Sequence, residues 1–152
     1  MKIVRGIPNK YISEILDWSI HFNHIMDESS FRNYVNFMSE FEISFMLIDE
    51  KENIVGVYTL LKNEIYEEFP NTEKYEGLDG VEGILLFVEE AYRGKGWGNK
   101  LKDMPKEIGY DYVWGRQHKN LNNLDHWLKR RELILEKERE YVTAEIFEIK
   151  VK

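Results

Sequence analysis

The chain of 152 residues contains no cysteine. That one absence removes disulfide scaffolds, thiolate nucleophiles and cysteine-ligated zinc from consideration. Long apolar runs are missing as well. No window approaches the roughly eighteen apolar residues of a membrane-spanning helix, and the opening MKIVRGIPNK carries charge too often for the apolar core of a signal peptide. A cytoplasmic protein without a membrane segment is therefore expected. No G-K-S or G-K-T occurs, so there is no Walker phosphate loop, and no internal repeat or low-complexity stretch is found. Basic excess is absent too: the net charge is −7, and an acidic domain repels nucleic-acid phosphates. His21 and His24 have acidic neighbours in Asp17, Asp27 and Glu28 but no recognisable metal-ligand spacing, so no metal is expected.

What is present suits one small domain spanning residues 1–152, with 43% hydrophobic and 14% aromatic residues to build a core. The most telling stretch is VEGILLFVEEAYRGKGWGNKL, from Val81 to Leu101. An apolar strand runs into a basic glycine-rich turn and then into a helical pattern. The turn amides and the unpaired amides of the first helical turn converge where an anion gains hydrogen bonds and a favourable helix dipole. Gly94, Gly96 and Gly98 let a diphosphate approach the backbone, Arg93 and Lys95 add charge at the rim, and Trp97 is expected to anchor the helix in the core. The dinucleotide fingerprint does not fit. Its third glycine would be one residue early, and no acid stands about twenty residues further on; Asp111 is too close.

Hydrophobic spacing gives the remaining elements. Residues 2–5 form a short strand, and Pro8 opens a helix carrying Ile12, Ile15, Leu16 and Ser19. A second helix begins at Ser30 with the stripe Phe31, Tyr34, Val35, Met38 and Phe41, which faces the core or a dimer partner. Ile43–Ile48 and Ile54–Leu61 form a hairpin around a five-residue polar loop, with Gly56 marking a bulge or a close backbone approach. After the strand at 81–88 and the glycine turn, a helix carries Trp97, Leu101, Met104 and Ile108, is kinked or divided by Pro105 and ends at Gly109. A strand at Tyr112–Arg116, a helix at Asn122–Arg131 and a closing hairpin of Leu133–Glu136 with Tyr141–Lys150 complete the order β-α-α-β-β-β-α-β-α-β-β.

The sequence Arg93-Gly94-Lys95-Gly96-Trp97-Gly98 has the form R-x-x-G-x-G after a strand ending Leu86-Phe87-Val88. In this it resembles the GCN5-related N-acetyltransferase (GNAT) superfamily, whose acetyl-CoA pyrophosphate loop reads Q/R-x-x-G-x-G/A. The element order resembles that family along nearly the whole chain. The resemblance implies an α/β (α+β) acyl-CoA N-acyltransferase fold, with a central mixed, mostly antiparallel twisted sheet flanked by helices. It implies acetyl-CoA as co-substrate, with the pantetheine arm paired to the backbone of Leu86, Phe87 and Val88. The pyrophosphate would rest on the amides of Gly94, Lys95, Gly96, Trp97, Gly98 and Asn99, within reach of Arg93 and Lys100. Asn120, Asn122 and Asn123 suit a helix cap, and Asn123 is the one assigned to the pantetheine arm.

Acetyl transfer to a primary amine needs a base for the amine proton and a proton for the leaving thiolate. Glu82 lies eleven residues before Arg93, where histone-type members of the family resemble it in placing a catalytic glutamate. Alternation sets it on the face of Ile84 and Leu86, partly buried, as a base with a raised pKa would be; the plainer alternative is an acid at a frayed strand start. The family's acid tyrosine has no counterpart. In NLNNLDHWLKRREL, Leu128 stands in its place and Glu132 stands where a glycine would. Tyr141 is the assigned candidate acid, with Tyr112, His118, His126 or water as alternatives. Nine acids against Lys74 between Glu64 and Glu90 suit a cationic small molecule or a peptide lysine or N-terminus, although a solvated acidic loop explains them equally. A catalytically idle CoA-binding or interaction module is the alternative function.

Overall fold

The computed structural model describes residues 1–68, 73–117, 132–136 and 143–147. They fall into two compact units, Met1–Leu61 with Ile84–Met104, and Lys62–Gly83 with Pro105–Lys152.

In the first unit the strands are β1 (Lys2–Arg5), β2 (Phe45–Ile48), β3 (Ile54–Leu61) and the last five residues of β4 (Gly80–Val88), side by side in that order. β1 and β2 pair antiparallel from Lys2↔Ile48 to Arg5↔Phe45, and β2 pairs antiparallel with β3. All four β2 residues and nearly all of β3 are buried, as expected of apolar runs covered on both faces. The register slips between Leu47 and Ile48, beside Gly56. A Cβ on Gly56 would come within 3.1 Å of the Phe87 carbonyl oxygen and 3.2 Å of Leu47 Cβ, so this is the close approach that its place in the strand suggested.

Helices α1 (Ile12–Asp17) and α2 (Glu28–Met38) cover one face of these strands. Ile15, Leu16, Trp18, Phe31 and Val35 pack with Met46, Ile48, Val57, Leu85 and Phe87. The stripe on α2 is thus core-facing, while Phe37, off the stripe, is 80% exposed. Asp27 caps α2 by accepting from the Ser30 N–H at 2.7 Å, and this backbone hydrogen bond holds its carboxyl below the usual range. Its stabilising contribution is present above the unfolded carboxylate pKa and is lost as pH falls through the lowered folded value. The first helix is shorter than the sequence suggests, being a 3-10 turn at Asn9–Tyr11, then α1, then a 3-10 run at Trp18–Phe22. Likewise β2 starts two residues late. The Ser44 hydroxyl donates to the Glu40 carbonyl and accepts from the Leu60 N–H, which uses Ser44 as a turn residue.

In the second unit the first four residues of β4 run parallel to β5 (Tyr112–Gln117), with Gly80 opposite Tyr112 and Glu82 opposite Trp114. β5 pairs antiparallel with β7 (Thr143–Phe147), which pairs antiparallel with β6 (Glu132–Glu136). One parallel pairing among antiparallel ones is the mixed pattern expected. β6 begins one residue earlier than anticipated, β7 falls inside the expected Tyr141–Lys150 run with its flanks outside the described residues, and the helix expected at 122–131 also lies outside them. The acidic connection carries two short helical segments that composition did not suggest, α3 (Ile65–Glu68) and a 3-10 turn at Glu73–Tyr75. Buried Ile65 and Tyr75 fasten them to Tyr112 and Trp114.

Helix α4 (Trp97–Glu107) continues through Pro105 for two residues and is not divided there, so the proline costs a hydrogen bond without ending the helix. It ends at Gly109, whose N–H reaches the Lys106 carbonyl while that of Tyr110 reaches the Pro105 carbonyl, a Schellman closure.

A Cβ on Gly80 would clash with the Cζ end of the Tyr112 ring. Gly80→Ala is therefore expected to destabilise the protein by about 1–3 kcal/mol, the usual range for overpacking, and thermal unfolding checks it. An unchanged midpoint would mean that Tyr112 does not lie over Gly80.

Candidate functional site

The glycine turn joins the end of β4 to α4. Gly94 and Gly96 have φ of +76° and +84°, left-handed values that strain any side-chain-bearing residue. The Lys100 N–H reaches the Gly96 carbonyl at 3.1 Å as the helix begins. The amides of Trp97, Gly98 and Asn99 precede that bond, at the positive end of the helix dipole. A Cβ on Gly94, Gly96 or Gly98 would meet no atom within 4 Å, so the backbone lies open to an approaching group. This arrangement can take a phosphate.

The side chains around the turn differ in part from expectation. Arg93 folds back: its Nε donates to the Val88 carbonyl at 2.6 Å and its guanidinium lies 5.3 Å from the Phe87 ring centre. It ties the turn to β4. Trp97 is half-exposed and does not anchor in the core; Lys100 Nζ lies over its ring at 4.3 Å. Lys95 is exposed.

Along β4, the N–H of Leu85 donates to Thr59 Oγ1 and that of Glu89 donates to the Val55 carbonyl, so these residues face β3. Strand alternation turns the backbone groups of Ile84, Leu86 and Val88 the other way. Among the described residues the pairing with β5 ends at Gly83↔Gly115, and the strand beyond it presents a backbone edge to them. On that edge the Ile84 carbonyl accepts from the Tyr34 hydroxyl at 3.3 Å and the Val88 carbonyl from Arg93, with Leu86 between them. Phe87 is a buttress: its carbonyl turns toward Gly56 and its ring packs against Trp18, His21 and Phe22 at 4.7, 5.1 and 5.7 Å. Tyr34 at this edge escaped the sequence reading because its helical spacing marks it only as core.

Glu82, the third residue of β4, is 1% exposed and so does not lie at a frayed strand start. A buried carboxyl is expensive without partners. Asn63 Nδ2 donates to its Oε1 at 3.0 Å, and the Asn63 carbonyl in turn accepts from Trp114 Nε1 at 2.7 Å. Tyr112, one of the alternative acids, is packed into the core of its unit. Its ring is wholly buried, its oxygen accepts from the Ile65 N–H at 3.1 Å, and burial pushes the phenol up to about 12. Tyr141, Asn123, Asn120, Asn122, His118, His126 and Leu128 lie outside the described residues. The acidic segment converges locally at Tyr66: a hydrogen bond from the phenol to Glu64, then the charges of Glu64, Glu67 and Glu76, raise its pKa. Among the described residues no helix is long and apolar enough to cross a membrane, and no three His, Asp or Glu side chains gather as a metal site.

Neither a protein-family model nor a curated protein sequence matches the chain. Solved structures do. It is similar to a GNAT family acetyltransferase from Staphylococcus aureus Mu50, at 18% identity and a TM-score of 0.64, over 98% of this chain and 99% of that one. It is similar to Arabidopsis thaliana NAA60 in complex with acetyl-CoA, at 18% identity and a TM-score of 0.60, over 97% and 100% of the two chains. A GNAT family N-acetyltransferase from Escherichia coli, YhbS, solved with CoA, is similar at 15% identity and a TM-score of 0.61, over 97% of this chain and 80% of that one. The chain has the acyl-CoA N-acyltransferase fold of the GNAT superfamily.

Proposed function

We propose that residues 1–152 act as one cytoplasmic acetyl-CoA-dependent N-acetyltransferase domain that acetylates a primary amine by direct transfer. The observation that carries this reading is the backbone edge of β4 leading into the glycine turn at the start of α4. A diphosphate fits the turn amides from Gly94 to Asn99, and an amide-bearing arm fits the N–H and C=O of Leu86. Both contacts are main-chain, so they demand small residues and a fixed backbone more than particular side chains.

Glu82 accepts the amine proton, directly or through water. The amine nitrogen bonds to the acetyl carbon, the C–S bond breaks, and the CoA thiolate takes a proton from Tyr141 or from water. The acceptor is cationic, because Glu64, Glu67 and Glu76 gather about Tyr66 and lower the potential there.

Because the chain has no cysteine, release of CoA thiol can be followed with a thiol reagent free of protein background. Spermidine and a lysine peptide are expected to release CoA faster than an uncharged hydroxylamine ether, with a gap that narrows as salt screens the acidic residues. Equal rates at all salt concentrations would refute the cationic acceptor. Bound acetyl-CoA with no thiol release on any amine would favour the idle module.

A further inference from the structure

We propose that Asn63 is a positioning residue for Glu82, holding its carboxyl through a side-chain hydrogen bond while Trp114 holds Asn63 by its backbone. The proposal rests on the reading of Glu82 as the base. Asn63 lies just beyond β3, in a stretch with no motif, and only the fold gives it a role. Its two interactions point in opposite directions: Nδ2 donates to Glu82 Oε1 at 3.0 Å, and its carbonyl accepts from Trp114 Nε1 at 2.7 Å. Trp114 is also the register partner of Glu82 across the parallel β4–β5 pair. The three residues therefore close a ring, in which the strand pairing fixes Glu82 against Trp114 and Asn63 bridges them.

The segment carrying Asn63 is held on both sides. Lys62 pairs with Asp79, and the Ile65 N–H donates to Tyr112. Tyr112 sits two residues before Trp114 on β5, opposite Gly80, so one face of β5 grips residues 63 and 65 together. Other ionisable groups on these flanking segments include Glu64, Tyr66, Tyr75, Asp111 and Tyr112. A buried carboxyl held by a preset donor keeps one orientation without reorganising during proton transfer, the usual task of a residue that supports a reacting group.

Asn63→Ala is the informative variant, because it removes the donor and keeps the carbonyl that Trp114 needs. With acetyl-CoA and spermidine as probes, the expected result is a fall in kcat on the order of a hundredfold with KM for acetyl-CoA unchanged. Adding Asn63→Ala to Glu82→Gln should cost no further activity, since the Asn63 side-chain amide serves the reaction through Glu82. A second readout needs no turnover: the Asn63 side-chain amide signals should move with pH in the wild type and stop moving in Glu82→Gln. Wild-type kcat in Asn63→Ala beside an inactive Glu82→Gln would overturn the proposal and leave the base standing. Full activity in Glu82→Gln would remove both. Amide signals indifferent to Glu82→Gln would overturn the proposal whatever the rates.

Discussion

Glu82→Gln is expected to lower acetyl transfer by about a hundredfold or more while acetyl-CoA binds as before. Glutamine has the size of glutamate, and its carbonyl can accept the Asn63 hydrogen bond as the carboxylate does. What it loses is the ability to take a proton, and general-base assistance is typically worth about 10²–10⁴ in rate. Folding should not suffer, because a neutral amide is less costly to bury than a carboxylate at 1% exposure. The measurement is kcat and KM for each substrate, with a thermal midpoint for each variant. A kcat within twofold of wild type would show that some other group takes the proton. An unfolded variant would instead make Glu82 a structural residue.

Gly98→Leu is the second large effect, and it separates binding from folding. Gly98 lies in the first turn of α4, is absent from the positive-φ positions, and would carry a Cβ into space free of other atoms within 4 Å. Leucine is a better helix former than glycine by up to about 1 kcal/mol, so stability should hold or rise. The added side chain nevertheless stands beside the amides proposed for the pyrophosphate. Affinity for acetyl-CoA is expected to fall at least tenfold, read by calorimetric titration. Gly96 is a less clean choice, since its φ of +84° would add backbone strain to any loss of binding. Unchanged affinity in Gly98→Leu would move the phosphate site elsewhere.

Among the described residues the order of strands and longer helices was legible in the sequence, because strand and helix periods differ and the punctuating residues are clear, whereas the short helical segments after β3 were not. Phe31 and Val35 repeat at helical spacing and reach the core, and Gly109 closes α4 as its position suggests. The strand–glycine–helix passage was legible for the same reason, since φ near +80° leaves glycine almost without rivals. Side-chain destinations were harder to read. Trp97 looked like an anchor and lies half-exposed under Lys100, while Arg93 looked free for phosphate and is bonded to Val88. Both are set by short-range partners, Lys100 on the same helix and the Val88 carbonyl five residues back, which hydrophobic spacing does not reveal. Asn63 was invisible altogether: its role comes from the pairing of β4 with β5, which brings together residues 63, 82 and 114. No local pattern encodes such a meeting.

Thermal unfolding with and without acetyl-CoA tests the central claim most directly. At about a hundredfold excess over the dissociation constant, linkage gives roughly 2.7 kcal/mol of stabilisation, which raises the midpoint of a chain this size by several degrees. The account predicts that rise in the wild type and its loss in Gly98→Leu at the same ligand concentration. A wild-type midpoint that does not move, with folded protein and intact thioester, would contradict it.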